Sequence, residues 1–256
     1  MTVFFSDIAD FTRLSSELTA STLLRLLNRY FEVMTAPIRA SGGVIDKYIG
    51  DAIMAYWGPP FVDPETQARA ACEAALNQLP ALDTFRAEIP EFLGWRGNVP
   101  DIDIRIGLAT GPLVVGTVGS EVSRNYTVIG DTVNLASRLE GACKLYRVRI
   151  VLDEATRMAA KGLQFRELDA IRVWGPAEPV RIFEPRQSSS DSEVDPLVGP
   201  FEQALSAYRR QAFDLAEAGS RQCLEIDPED GASAIFLERL GALRAHPPDW
   251  DGVWTL

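Results

Sequence analysis

At 256 residues, with 46% hydrophobic and 24% charged side chains, the chain has the make-up of one globular domain with a small appendage, neither fibrous nor disordered. Its net charge of −11 provides no electrostatic footprint for a polyanionic backbone, which excludes DNA and RNA as partners on charge. Three cysteines, far apart and without CxxC spacing, exclude a disulfide framework and a zinc site and point to a reduced, cytoplasmic setting, and no run reaches the roughly 18 apolar residues of a membrane span.

The chain opens on TVFFSD at residues 2–7, a short strand rich in Val and Phe. From Thr19 to Ile38 the apolar positions Leu23, Leu24, Leu27, Tyr30, Phe31, Met34 and Ile38 recur at helical spacing, with Pro37 expected to loosen the last turn and Ser41-Gly42-Gly43 to end it. GVIDKY and DAIMAYWG then read as a hairpin turning around Ile49-Gly50. A second long helix is expected to begin near Asp63-Pro64 and to run through QARAACEAALNQL, with a loop from Pro90 to Pro100. IDIRIGLATG and LVVGTVG read as strands, DTVNLASRLEGACKL as a helix and RIVLD as a strand. Three further short runs, near Leu163, Ile171 and Val180, would complete a mixed sheet. This order indicates an α/β or α+β sandwich, a mixed sheet flanked by helices.

RQSSSDSEVDPL, residues 186–197, is polar, serine-rich and poor in apolar residues. It divides a main domain (1–185) from a C-terminal helical extension (199–256) through a linker at 186–198. The extension reads as three helical pieces. Its AFDLAEAG and LEIDPED segments resemble one unit of a tetratricopeptide repeat, too little for a free-standing array, so docking on the main domain or on a partner is expected. Trp250 and Trp254, in the proline-rich tail, are expected to join that docking.

Two carboxylates, Asp7 and Asp51, each stand at the edge of an apolar strand-like run. Hard divalent cations take oxygen ligands and keep phosphate oxygens in their shell, so two carboxylates from neighbouring strands suffice to hold them over a triphosphate. The plainer reading is that such aspartates cap turns. Asp46 reads as a surface or hairpin residue. In NYTVIGDTVNLASRLE, Asn134 and Arg138 are four apart and project from one helix face behind a tight turn at Gly130. An amide that orients a ribose and a guanidinium that neutralises growing phosphoryl charge suit an in-line displacement; the alternative is an ordinary solvated helix face. Lys47 and Thr127 offer an ammonium and a hydroxyl, complementary to the N1 acceptor and exocyclic amine of adenine, whereas guanine presents the reversed pattern. The sole histidine, His246, lies in the tail, and neither Ser15, Ser16 nor the cysteines show a partner arrangement for nucleophilic catalysis.

The three stretches FFSDIADFT, DKYIGDAIMAYWG and NYTVIGDTVNLASRLE resemble, in order and spacing, the signature of the class III nucleotidyl cyclases over about residues 2–185. The resemblance implies a ferredoxin-like, palm-derived sheet and conversion of ATP to 3′,5′-cyclic AMP and pyrophosphate. It implies two divalent cations, Mg²⁺ or Mn²⁺, at Asp7, Ile8 and Asp51. Phe11, Thr12, Lys47 and Thr127 are expected to bind substrate, with Asn134 and Arg138 catalytic, in a head-to-tail homodimer with two sites shared between chains. Threonine at position 127 is similar to the class IIIb subgroup. Asp10 stands where the FxDIxGFT pattern usually has glycine, and Trp174-Gly175-Pro176 offers no cation where relatives carry a lysine turn, leaving Arg172 and Arg181 as alternatives. Because Met1 falls inside the first strand, the chain is expected to be the cytoplasmic catalytic part of a longer protein with an upstream sensory or membrane segment. The competing expectation is a catalytically weak cyclase-homology module that binds nucleotide or serves as a regulatory dimerisation unit.

Overall fold

The computed structural model describes residues 1–94, 101–172, 178–186, 195–245 and 253–255. In chain order it forms β1 (Thr2–Ile8), α1 (Phe11–Glu17), α2 (Ala20–Ala40), the hairpin of β2 (Val44–Ile49) and β3 (Ala52–Trp57), and α3 (Gln67–Leu93). There follow β4 (Ile104–Thr110), β5 (Val114–Gly119), β6 (Arg124–Ile129), α4 (Asp131–Tyr146), β7 (Ile150–Asp153), α5 (Glu154–Ala159), β8 (Gln164–Arg172) and β9 (Val180–Arg186). The extension contributes α6 (Val198–Arg209), α7 (Phe213–Ile226), α8 (Gly231–Ala245) and the short β10 (Trp254–Thr255).

Among the described residues the main sheet runs β10-β8-β9-β7-β4-β1-β3-β2, mixed parallel and antiparallel, and β5 and β6 form a separate two-stranded ribbon. Because successive strand residues point to opposite faces, neighbours in the central strands feed two different cores. Phe4, Leu108, Leu152 and Phe183 pack with α2 and α3, while Val3, Ala109, Val151 and Ile182 pack with α4 and the extension. The extension thus covers one face of the sheet, and β10 adds to its edge in parallel with β8, Trp254 opposite Ile171.

Several expectations need correction. In α2 the buried line is Leu26, Tyr30, Met34 and Ile38, spaced by four, while Leu24 is 62% exposed. α3 starts at Gln67 because Asp63 uses its carboxylate and carbonyl to turn the chain onto Glu65 and Gln67. It then runs past Pro80 and Pro90, since Leu82, Phe85 and Ile89 lie on its buried face, and stops at Gly94, whose φ of 65° caps it. Residues 90–93 are therefore helix, whereas 95–100 lie outside the described residues. The runs near Leu163 and Ile171 are one strand, β8. A register shift between Glu167 and Asp169 breaks its alternation and makes it read as two. The short elements α1, β6 and α5 were not anticipated. Cys72, Cys143 and Cys223 are buried free thiols, and no helix among the described residues is long and apolar enough to cross a membrane.

Candidate active site

β1 and β3 are antiparallel neighbours, with Ser6 opposite Ile53, so Asp7 and Asp51 emerge at the same end of the sheet. Gly50, at φ 65°, supplies the left-handed residue that the β2–β3 turn requires. Asp7, Ile8 and Asp51 line one cleft of about 730 Å³ together with Phe11 and Thr12, the first two residues of α1. Asp51 Oδ2 accepts a hydrogen bond from the Ile8 amide at 3.0 Å. The same cleft holds three cations that sequence reasoning missed, Arg13, Arg105 and Lys144. Arg105 is the cross-strand partner of Asp7 and grips it with both arms, Nε to Oδ1 at 3.1 Å and Nη2 to Oδ2 at 3.0 Å. No spacing in the sequence signals this pair, because it depends on the register of two strands nearly a hundred residues apart.

Glu140 of α4 stands 3.3 Å from Arg105 Nε. Burial, and then the charge of Asp7, raises its carboxyl to about 8, and burial also raises that of Asp51. Three carboxylates thus crowd one guanidinium. Two carboxylates with a main-chain carbonyl make a donor set suited to a hard divalent cation that completes its shell from phosphate and water. Among the described residues no group of three His, Cys, Asp or Glu side chains forms a self-sufficient metal cage.

Asn134 and Arg138 lie elsewhere. Both are exposed on α4 and line a second groove of about 850 Å³, closed by Gly111–Val114 and Ile129–Thr132. The two cavities have no lining residue in common. α4 borders both: from Arg138 to Lys144 the helix advances roughly 9 Å and turns roughly 240°, so the two side chains leave on different sides. Its seat is set by Gly107 of β4, where a Cβ would fall 2.1 Å from Ala136 O and 2.2 Å from the Glu140 amide nitrogen.

Lys47 and Thr127 meet directly, Nζ donating to Oγ1 at 3.0 Å. Asp46 is no surface residue. Its side chain is fully buried and accepts from the Thr127 hydroxyl at 2.7 Å and the Val128 amide at 3.1 Å. It occupies a bulge, since Ile45 pairs with Ala55 and Lys47 with Met54. An extra residue at that point lets Asp46 and Lys47, which would alternate in a regular strand, address the same partner.

Asp10 adopts φ 53° and ψ 32°, with Lys144 Nζ 3.9 Å from its carboxylate. Arg181 is engaged by Glu167 and Glu154, and Arg172 ends β8 beside Thr255. Trp174-Gly175-Pro176, His246 and Trp250 lie outside the described residues. Trp254 does dock, its ring 4.2 Å from the Arg239 guanidinium.

Residues 1–183 match the family model described as the adenylate and guanylate cyclase catalytic domain. An adenylate cyclase of Anabaena cylindrica is 38% identical over 188 residues, 72% of this chain and 36% of its own length. The terminal-differentiation specific adenylate cyclase of Dictyostelium discoideum is 33% identical over 247 residues, covering 93% of this chain, extension included, but 11% of its own length. The chain thus spans about a third or less of these curated relatives. The crystal structure of the adenylyl cyclase CyaB from P. aeruginosa superposes with a TM-score of 0.68 at 35% identity, over 75% of this chain and 96% of that one.

Proposed function

Because the chain belongs to the adenylate and guanylate cyclase catalytic domain family, we propose that it converts ATP to 3′,5′-cyclic AMP and pyrophosphate in a symmetric homodimer with two shared sites. The observation that carries this reading is the division of the machinery. Asp7 and Asp51 line one cavity, Asn134 and Arg138 another, and α4 turns the two sets apart. A second copy, laid head to tail, would bring its Asn134 and Arg138 to the first copy's carboxylates. The β5–β6 ribbon supports such an association, because Val114, Val118, Tyr126 and Ile129 expose apolar surface beside the second groove.

In the reaction the ribose 3′-oxygen attacks the α-phosphorus, the bond to the bridging oxygen of pyrophosphate breaks, and the 3′-hydroxyl proton passes to Asp7 or solvent. Asp7, Asp51 and the Ile8 carbonyl would hold two divalent cations, Mg²⁺ or Mn²⁺, which when bound acidify the 3′-hydroxyl and screen the triphosphate. Arg105, released as counter-ion to Asp7, and Lys144 would then face the terminal phosphates, with Phe11 and Thr12 lining the same wall. This fills the role for which the sequence offered Arg172 and Arg181 as alternatives, neither of which lines this cleft. Asn134 would orient the ribose and Arg138 would neutralise the transferring phosphoryl group. Lys47 and Thr127 would contact the base. Asp10, a carboxylate at the phosphate wall, favours the second reading, a weakly catalytic nucleotide-binding module.

The experiment is cyclic AMP formation from ATP in Mn²⁺ and in Mg²⁺ across a protein dilution series, with Asp51→Ala as control. Specific activity that rises with concentration and is lost in the variant is expected. ATP binding without product at any concentration would leave the module reading in its place.

A further inference from the structure

The base-contacting pair has a third member. Resting on the reading of Lys47 and Thr127 as that pair, we infer that Asp46 fixes the choice of adenine by holding the Thr127 hydroxyl as an acceptor toward the base. As a carboxylate Asp46 only accepts, so the Thr127 proton must point at Asp46 Oδ2, 2.7 Å away. One of the two Thr127 lone pairs receives Lys47 Nζ at 3.0 Å. The ammonium also stands 3.0 Å from Asp46 Oδ1, as an ion pair without hydrogen-bond alignment. A hydroxyl has two lone pairs and an ammonium three protons, so one acceptor on Thr127 and at least one donor on Lys47 remain for a ligand.

That remainder suits the adenine edge, where the exocyclic amine donates and N1 accepts. A guanine edge asks for the opposite at each place: its exocyclic oxygen would meet a lone pair that cannot be exchanged for a proton. A threonine hydroxyl free to rotate would tolerate either base, since it donates as readily as it accepts. Selectivity therefore lies in the anchor that stops the rotation. The anchor is well built for this, with its side chain fully buried, its Oδ2 fixed by the Val128 amide at 3.1 Å, and its aim set by the bulge in β2. Asp46 touches no part of the substrate in this account; it is a positioning residue that acts through Thr127.

The test is the ratio of kcat/KM for ATP to that for GTP, measured with Mn²⁺ on the full chain and on Asp46→Ala, Thr127→Val and the double variant. Asp46→Ala is expected to lower the ratio about tenfold, the worth of one good hydrogen bond. In the Thr127→Val background the same change should move it less than about twofold, because no hydroxyl remains to orient. A ratio unaffected by Asp46→Ala, or an equal further fall in the double variant, overturns the inference. If Asp46→Ala does not fold, Asp46→Asn decides the matter. Its amide oxygen keeps the acceptor for Thr127 and Val128 but loses the charge beside Lys47, so turnover should fall while the ratio holds within about twofold. A collapsed ratio in Asp46→Asn would assign selectivity to the ion pair and overturn the inference. Should the unaltered chain bind both nucleotides and turn over neither, the cyclase reading fails by itself. The same ratio read as Kd then still judges Asp46.

Discussion

Asp10 sits at φ 53° and ψ 32°, a region in which the Cβ of an L-residue crowds the neighbouring carbonyl and which aspartate tolerates better than most. That backbone explains why a glycine suits the position, and the chain departs from it by adding a carboxylate, 65% exposed, to the cleft of Asp7 and Asp51. Asp10→Gly removes both the strain and, on the proposed reading, a like charge facing the triphosphate. The KM for metal-bound ATP is expected to fall about threefold, as suits an exposed charge in screened solvent, with kcat little changed. Steady-state kinetics at low and high salt check this, the effect shrinking with salt. At this scale legibility in the sequence was uneven for a physical reason. Asp7 and Asp51 stand at the edges of apolar strand-like runs, and Asn134 and Arg138 stand four apart on a helix, so a linear pattern could single them out. Arg105, Glu140 and the role of Asp46 depend on strand register, on helix rotation and on a bulge, none of which a linear pattern carries.

Among the elements, α4 joins the two cavities, and its place rests on the contact of its backbone with Gly107. A methyl group there would overlap Ala136 O and the Glu140 amide, so Gly107→Ala must push the helix off the sheet. The expected cost is about 3 kcal/mol in urea unfolding, with kcat reduced far more than KM because Asn134 and Arg138 shift together. The hairpin of β2 and β3 and the body of α4 were readable from periodicity and turn residues. The full length of α3 was not. Its prolines argue locally for a stop, but the burial of Leu82, Phe85 and Ile89 outweighs them, and that burial is known only once β4 is in place.

For the molecule as a whole, the extension is bonded into the sheet through buried charge. Arg166 of β8, with no exposed side-chain surface, is held by Asp230 at 2.7 and 2.9 Å and by Glu184 at 2.8 Å. Arg239 of α8 reaches Asp169 at 2.9 Å and the Tyr146 hydroxyl at the end of α4. Burial alone would raise the Asp230 carboxyl, yet Arg166 and the Ser233 amide hold it below the ordinary carboxylate range. A depressed acid contributes stability that is present above its unfolded value, near 4, and is lost as pH falls through the lower, folded one. Asp230→Asn should therefore lose about 3 kcal/mol at neutral pH and show a shallower decline below pH 4, readable by denaturant unfolding at stepped pH. That the extension packs on the sheet was an open alternative in the sequence. That it does so through Arg166 and Arg239 was not visible, because no local pattern sets either apart from an ordinary helix or strand charge.

Two cavities without a shared wall give the protein a form of bookkeeping familiar from crosses between recessive mutants. A chain carrying Asp51→Ala keeps a sound Asn134–Arg138 groove, and a chain carrying Arg138→Ala keeps a sound metal cleft. Neither should work alone. Mixed in equal amounts and allowed to exchange, half the pairs hold one of each, and in every such pair one site inherits both intact halves while the other inherits both defects. About a quarter of the unaltered activity should return, a statistical yield that only a two-fold pairing of split sites produces.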